Sequence, residues 1–250
     1  GKLMAITRPE YILAIDQGTT GTRAVIFNHN ARRVTSTAVQ MTPIVPHTGW
    51  LEQRPMDIWR TAQTAIADAL INAGIRGDEV KAIGIANQRE TTIIWDRQTG
   101  QPIYNAISWS STQSQSIADA LNNAGHAEMI REKTGLPISA YFSATKIRWI
   151  LDHVAGAQER AEAGELVFGT VDTWLLWQLT DGETHATDAS NASRTMLYNI
   201  HTQAWDEELL QLFNIPASML PTVHTSSEVI AQTNPMQFFG GRVPVASVIG

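Results

Sequence analysis

Apolar runs and alternating segments divide the first part of the chain into strands and one long helix. Apolar residues dominate 11–16 and 22–27, and 33–41 alternates, so we predict three strands. Glycine and threonine separate the first two, which predicts a hairpin whose loop is longer than two residues. Helical spacing of apolar residues begins at Pro55, a favourable first-turn residue, and predicts a helix. The apolar run at 80–86 predicts a buried strand.

Short strands and helices alternate in the rest of the chain. The pattern predicts strands at 91–95, 166–168 and 243–250, and a polar loop with a hairpin at 181–197. Helical spacing predicts helices, in chain order, at 116–123, 128–133, 143–154, 174–179 and 205–213. Strands followed by alternating helices and strands indicate an α/β fold with a mixed central sheet.

Composition narrows the class of protein. The 250 residues, 43% of them hydrophobic, can bury a sizeable core in one or two domains. The net charge of −6, without a basic stripe, argues against nucleic acid as a partner. No run reaches the ~20 apolar residues of a membrane span and no signal peptide opens the chain, so we expect a cytoplasmic protein. The absence of Cys excludes thiolate zinc sites and a thiol nucleophile.

A carboxylate and a loop of small polar residues follow the first predicted strand. Asp16 stands at the strand end, and Gln17-Gly18-Thr19-Thr20 comes next. A carboxylate in this place can hold Mg²⁺, directly or through water, while loop N–H and hydroxyl groups can face phosphate oxygens. The alternative is an ordinary hairpin turn in which Asp16 accepts hydrogen bonds from neighbouring N–H groups. The residue chemistry leaves both interpretations open.

A donor and an acceptor follow the strand predicted at 80–86. Arg89 offers five N–H donors and Glu90 only accepts, so together they can grip vicinal hydroxyls. Neighbouring side chains of a strand point to opposite faces, so both can reach one ligand only where the strand ends or bends. On spacing alone, a surface ion pair between the two is the favoured interpretation.

Aromatic residues and a lysine lie near polar segments farther along. Trp109 and Tyr141 suit the apolar wall of a polyol site, although aromatic residues are more often ordinary core. Lys146, in the helix predicted at 143–154, is most simply a solvated charge.

Several short motifs occur together in a fixed order. They include Ile15-Asp-Gln-Gly-Thr-Thr20, Gly49-Trp-Leu-Glu52, Asn87-Gln-Arg-Glu-Thr-Thr92, Tyr141-Phe-Ser with Thr145-Lys-Ile, and Thr187-Asp with Ser190-Asn-Ala-Ser-Arg-Thr-Met196. In this order they resemble the N-terminal domain of the FGGY carbohydrate kinases, and 141–153 satisfies that family's first signature pattern at every position. We therefore expect residues 11–250 to form this domain, with the C-terminal domain absent from the chain. Residues 1–10 are interpreted as an expression remnant (Gly1-Lys2-Leu3 before Met4) and an N-terminal lead.

The resemblance implies a fold, a reaction and two cofactors. The fold is the actin-like ATPase fold, a ribonuclease-H-like mixed sheet flanked by helices, with one domain on each side of a cleft. The reaction is the ATP- and Mg²⁺-dependent phosphorylation of a small polyol, and the Arg-Glu pair favours glycerol as the acceptor. The resemblance also implies a homo-oligomer in the full-length form.

Residue roles follow from the same resemblance. Asp16 would face Mg²⁺, directly or through water, and the transferring phosphate. Phosphate or nucleotide contacts would fall to Gln17, Gly18, Thr19, Thr20 and Arg23. The acceptor hydroxyls would bind Arg89, Glu90 and Tyr141, with Trp109 as an apolar wall behind the acceptor carbons.

The chain departs from the family pattern in two places and lacks one element. After Trp109 it reads Ser110-Ser-Thr-Gln-Ser114 where the family usually has Gln-Asp-Arg-Arg-Thr, so we expect a charge network beside the acceptor pocket to be missing. Gly21 replaces the usual Ser. The family's general base is an Asp in a Gly-Asp-Gln turn after an apolar strand. Here 245–250 reproduces the strand and stops at the glycine, so we expect the isolated chain to be inactive.

Three alternatives remain. The first is another FGGY kinase, acting on a pentulose or a different polyol. The second is a catalytically silent binding protein that kept the fold, which the lost charged residues beside the pocket favour. The third is an actin- or chaperone-type ATPase, which would leave the hydroxyl-binding motifs unexplained.

Overall fold

The computed structural model describes residues 10–225 and 228–249; the interpreted remnant and lead up to residue 9, and Gly250, lie outside the described residues. The strands are β1 (Tyr11–Gly18), β2 (Gly21–Phe27), β3 (Arg33–Gln40), β4 (Glu52–Gln53), β5 (Val80–Asn87), β6 (Ile93–Asp96), β7 (Ala106–Ile107), β8 (Leu166–Gly169), β9 (Ala186–Asp188), β10 (Tyr198–Asn199), β11 (Ala204–Trp205), β12 (Thr222–His224), β13 (Ala231–Gln232) and β14 (Pro244–Ile249). The helices are α1 (Pro55–Ala73), α2 (Gln115–Asn123), α3 (Ala127–Thr134), α4 (Ser143–His153), α5 (Ala157–Glu162), α6 (Val171–Leu179), α7 (Ala189–Ala192) and α8 (Glu207–Phe213).

A mixed six-stranded sheet organises the molecule, in the order β13-β14-β5-β1-β2-β3. β1 and β14 both pair in parallel with β5, whereas β2 and β3 continue the sheet in antiparallel fashion. The carboxyl ends of the three parallel strands therefore meet at one edge, where Gln17 is in register with Asn87 and Ile249 with Ala86. Open α/β sheets bind their ligands beyond this edge.

One face of the sheet carries the main apolar core. Leu13 and Ile15 of β1 and Ile83 and Ile85 of β5 point inward and are at most 1% exposed. They belong to one buried cluster with the apolar faces of α1 and α6, and the Trp174 indole N–H donates to the carbonyl of Pro55 at 2.9 Å. A second buried cluster surrounds α4 and includes residues of α2, α3 and α8. These two clusters hold the ends of β1, β5 and α4 in fixed positions.

Most of the predicted elements are confirmed, including the three N-terminal strands, the helix from Pro55 and the strand that ends at Ile249. The predicted hairpin at 181–197 is wrong, because β9 pairs in parallel with β12. There the Asp188 carboxylate accepts the N–H of Asn191 at 3.0 Å, which caps α7 directly after β9. Among the described residues, no helix is long and apolar enough to cross a membrane.

The hairpin between β1 and β2 is tighter than predicted. Gly18 pairs with Gly21, so the loop consists of Thr19 and Thr20 alone. The chain passes so close to β3 that a Cβ on Gly21 would overlap the carbonyl oxygen of Val39. The glycine that replaces the family's usual Ser is therefore required by this backbone.

Candidate active site at the ends of β1 and β5

The first part of the site is an open cavity at the β1–β2 hairpin. The alternation of β1 buries Ile15 and turns the Asp16 carboxylate to the exposed face. Asp16 lines a cavity of about 260 Å³ together with Gly18, Thr20 and Arg23. Arg23 is the cross-strand neighbour of Asp16, and its guanidinium donates to the Ser36 hydroxyl at 3.1 Å. The structure thus brings an exposed carboxylate, a guanidinium and a threonine together beside a two-residue loop.

Two of the predicted phosphate contacts have side chains that are bonded inside the protein. The Gln17 amide is buried, donates to the carbonyl of Gly18 at 2.9 Å and accepts from the Gln88 amide. The Thr19 hydroxyl donates to Gln88 Oε1 at 3.3 Å and accepts from the Trp109 indole N–H at 3.0 Å. Any phosphate contact of Gln17 or Thr19 therefore falls to the backbone, and it stays a prediction.

The second part of the site begins where β5 ends. Glu90 has φ of 70°, a left-handed conformation that is rare for a residue with a side chain, and it is only 3% exposed. The Arg194 guanidinium donates through Nε to Glu90 Oε1 at 2.8 Å, while the Glu90 carbonyl accepts from the Ser143 hydroxyl at 3.2 Å. The favoured expectation of an Arg89–Glu90 surface pair is wrong, because the backbone turn buries Glu90 beside Arg194 and leaves Arg89 exposed.

Aromatic rings form a wall beside the Glu90–Arg194 pair. The Arg194 guanidinium lies 4.9 Å from the ring centroid of Phe142 and 5.9 Å from that of Tyr141. Tyr141 meets Trp109 edge to face, with 5.4 Å between ring centroids. Tyr141 is 38% exposed and Trp109 is half-buried, so both rings can contact a ligand and still pack against the protein.

No role was predicted for Arg194 from the sequence. It is 104 positions away from Glu90 in the chain, so periodicity and local spacing contain no sign of the pair. Its position within Ser190-Asn-Ala-Ser-Arg-Thr-Met196, one of the family motifs, was the available signal.

Lys146 is fully buried, so its interpretation as a solvated charge is wrong. Its ammonium group donates to the carbonyls of Ala140 at 2.5 Å, Tyr141 at 2.7 Å and Phe142 at 3.4 Å. Burial lowers the pKa of Lys146 to about 7, and the negative charge of Glu90 partly opposes this shift. Lys146 therefore fixes the turn that presents Tyr141.

The lowered pKa of Lys146 predicts a pH dependence of stability. Between pH 7 and about 10, the unfolded chain holds a proton on this lysine that the folded chain has lost. The free energy of unfolding should therefore rise with pH in this window, by up to about 1.4 kcal/mol per pH unit from this group. Urea unfolding of the chain and of Lys146→Met at pH 7.5 and 9.5 measures the difference. An equal pH slope in both proteins would contradict the assignment.

The segment after Trp109 lacks the family's charged residues, and its neutral side chains join a hydrogen-bond network around Glu52. The buried Glu52 carboxylate accepts from the Tyr104 hydroxyl at 2.5 Å, the Asn105 amide at 3.1 Å and the Gln113 amide at 2.9 Å. Burial, with the nearby Glu52 charge, raises the pKa of the Tyr104 hydroxyl, which keeps it a donor. Ser111 completes the network by donating to Gln113 Oε1 at 2.5 Å. Neutral donors therefore satisfy the buried Glu52 carboxylate.

The donor set at the hairpin suits one kind of metal site. Within 10–225 and 228–249, no three His, Asp or Glu side chains are placed to hold an ion together. Mg²⁺ characteristically binds one or two carboxylates and completes its shell with substrate phosphates and water. The exposed Asp16 fits that arrangement, in which phosphate oxygens and solvent would supply the remaining ligands.

Comparison with known proteins identifies the family. The chain matches the N-terminal domain of the FGGY family of carbohydrate kinases over residues 11–250. The chain therefore belongs to this family. Within it, the chain is 56% identical over 245 residues to a glycerol kinase of Streptococcus pyogenes, which covers 98% of this chain and 48% of that protein. The chain thus spans about half the length of the curated relatives it matches.

Solved structures agree on the fold. A glycerol kinase of Plasmodium falciparum, solved with ADP, superimposes with a TM-score of 0.90 at 32% identity, over 96% of this chain and 48% of that one. A gluconate kinase of Lactobacillus acidophilus, at 24% identity and a TM-score of 0.85, shares the fold over 97% of this chain and 48% of its own. The expected α/β fold of the actin-like ATPase class, with a mixed central sheet, is confirmed.

Proposed function

We propose that this chain is the acceptor-binding half of an enzyme that transfers the γ-phosphoryl group of ATP to a terminal hydroxyl of glycerol, giving glycerol 3-phosphate. The observation that carries the proposal is the buried Glu90 carboxylate, held by Arg194 beside the Tyr141–Trp109 wall. The indole N–H of Trp109 joins that wall to Thr19 of the hairpin that carries Asp16. The names of the glycerol kinases that this chain matches support the same acceptor.

The site residues would act mainly by positioning. Glu90 would accept from one acceptor hydroxyl and Arg89 would donate to a second, while the rings of Trp109 and Tyr141 would cover the C–H face. Phosphoryl transfer passes through a loose transition state, so alignment and charge neutralisation provide most of the rate. The Tyr141–Trp109 wall and the Glu90 carboxylate together would hold one terminal hydroxyl of the acceptor toward the β1–β2 hairpin.

The hairpin cavity would receive the transferring phosphate. Arg23, Thr20 and the backbone of Gly18 line it, and Asp16 stands at its exposed face. Mg²⁺, when bound by Asp16 and the phosphate oxygens, would neutralise negative charge on the nucleotide. Most of the nucleotide site would belong to the C-terminal half of the parent enzyme.

We further propose that the general base lies just beyond β14. Ile249 is in register with Ala86, so the chain leaves β14 at the edge where Asp16 and Glu90 lie. A carboxylate there would accept the proton of the acceptor hydroxyl while the new O–P bond forms and the bond from the γ-phosphorus to ADP breaks. The parent enzyme would work in the cytoplasm. It would also form a homo-oligomer, and light scattering of the purified protein would measure the molar mass of that oligomer.

An acceptor panel tests the proposed function. The full-length parent protein, with ATP and Mg²⁺, should phosphorylate glycerol with a higher kcat/KM than erythritol, xylulose or gluconate. Preference for a pentulose or gluconate would assign the chain to another sugar kinase of the family. Failure to phosphorylate any acceptor, in protein shown to be folded, would favour a silent binding protein.

The isolated chain should be inactive with glycerol and ATP. Half of the cleft that aligns ATP and excludes water would be missing. Glycerol should bind with a Kd in the millimolar range or weaker, because a three-carbon ligand with one open side gains only a few kcal/mol. ATP turnover is measured for the chain alone and after adding the separately made C-terminal half. Appreciable phosphorylation by the chain alone would contradict the division of the site.

A further inference from the structure

Gln88 lies between the two parts of the site, and both ends of its side chain are hydrogen-bonded. Its amide nitrogen donates to Gln17 Oε1 at 2.9 Å, to Gln53 Oε1 at 3.1 Å and to the carbonyl of Gly18 at 3.3 Å. Its amide oxygen accepts from the hydroxyls of Thr91 at 3.0 Å and Thr19 at 3.3 Å. One half-buried side chain thus contacts β1, the hairpin loop, β4 and the segment after β5.

The two threonines connect Gln88 to the acceptor wall. The Trp109 indole N–H donates to the Thr19 hydroxyl at 3.0 Å, and the Trp109 backbone N–H donates to the Thr91 hydroxyl at 3.1 Å. Each hydroxyl in turn donates to Gln88 Oε1. The hydrogen bonds therefore form a closed ring through Gln88, Thr19, Trp109 and Thr91. This ring of bonds fixes both the plane of the Trp109 indole and the Trp109 backbone.

The order of donors in this ring determines which side chains can complete it. Each threonine hydroxyl has a single hydrogen, which it gives to Gln88, so its lone pairs remain for the N–H groups of Trp109. The ring therefore needs an acceptor oxygen at position 88, while Gln17, Gln53 and Gly18 need a donor there. Among neutral side chains of this size, a primary amide supplies both. A carboxylate would leave Gln17 and Gln53 without their donor.

We propose that Gln88 is a positioning residue, which orients Trp109 against the acceptor through Thr19 and Thr91. It thereby fixes the position of the Tyr141–Trp109 wall relative to the β1–β2 hairpin. This inference rests on the proposed function. Gln88 does not need to touch the acceptor. Its effect should therefore appear in the KM for the acceptor and in the order of Trp109, with little change in the KM for ATP.

A double-mutant cycle in the full-length protein tests the proposal. Gln88→Leu should raise the KM for glycerol about tenfold and leave the KM for ATP within about twofold. Trp109→Phe keeps an aromatic ring and removes the indole N–H, so the further effect of Gln88→Leu in that background should be under about threefold. The proposal would be overturned if the two substitutions raised the KM for glycerol by factors that multiply in the double variant. It would also be overturned if Gln88→Leu raised the KM for glycerol and the KM for ATP equally.

Two variants of Thr91 and an NMR measurement on Trp109 distinguish the proposed effect from a general folding defect. Thr91→Val removes the hydroxyl that joins Gln88 to the Trp109 backbone at nearly constant volume, whereas Thr91→Ser keeps it, so Val should raise the KM for glycerol by part of the Gln88→Leu effect and Ser should leave the KM near wild type. The ¹⁵N-indole signal of Trp109, assigned with Trp109→Phe, should exchange with solvent faster in Gln88→Leu. Unchanged indole exchange would overturn the proposal even if glycerol is not the acceptor. Wild-type protein that is inactive on every acceptor would instead contradict the proposed function.

Discussion

Asp16→Asn in the full-length enzyme should lower kcat by about 100-fold or more and change the KM for glycerol by less than about threefold. The substitution keeps the size of the side chain and removes the charge that faces the hairpin cavity. Asp16 would act through Mg²⁺, whose charge offsets the negative charge of the phosphate in the transition state, so its loss should appear in kcat. Steady-state kinetics at saturating ATP and Mg²⁺ measures both constants.

A second carboxylate serves as the matched control for Asp16. Asp68 is exposed on α1, away from the parallel strand ends, so Asp68→Asn should leave kcat unchanged. Near wild-type kcat for Asp16→Asn in saturating Mg²⁺ would remove Asp16 from the site and return the hairpin to an ordinary turn.

Breaking the Glu90–Arg194 pair should weaken acceptor use. Arg194→Met leaves a carboxylate that is only 3% exposed without its charged partner, a loss of about 1–3 kcal/mol or about 5- to 150-fold in the KM for glycerol. Arg194→Lys keeps the charge and loses the planar group that covers Phe142, so its effect should be smaller. Glu90→Gln should also raise the KM for glycerol, because a hydroxyl would then meet an amide instead of a carboxylate.

An exposed ion pair provides the control for Arg194. Arg76 and Asp78 form a pair in which the arginine side chain is 71% exposed, and Arg76→Met should change neither KM nor kcat. If Arg194→Met and Glu90→Gln both retain wild-type glycerol kinetics, the buried pair has a structural role only, and the acceptor lies elsewhere.

Local patterns were sufficient for much of the scaffold. The apolar alternation of β1, the proline at the start of α1 and the stripe of α4 each reflect a rule that acts over a few residues. The same local rules placed Asp16 at a strand end and the Arg89–Glu90 pair after β5. The family motifs then indicated which of these residues belong to one site.

The features that could not be predicted from the sequence depend mainly on contacts between distant segments of the chain. Glu90 meets Arg194 because α7 and the segment after it fold back over the end of β5, and no spacing in the chain encodes that approach. Lys146 was interpreted as a solvated charge, but it is buried, and three backbone carbonyls of the preceding turn compensate its burial. The length of the hairpin loop depends on whether Gly18 and Gly21 pair, and a run of glycine and threonine does not specify that pairing.

The paired glycines of the hairpin make insertions and deletions more damaging at this position than most replacements of single residues. β1 pairs with β2 on one side and with β5 on the other, so its register is fixed twice. A residue gained within β1 would turn Asp16 inward and Gln17 outward, because side chains alternate along a strand. In descendants of this gene, the number of residues between Asp16 and Arg23 should therefore remain constant, while exposed positions outside the site vary.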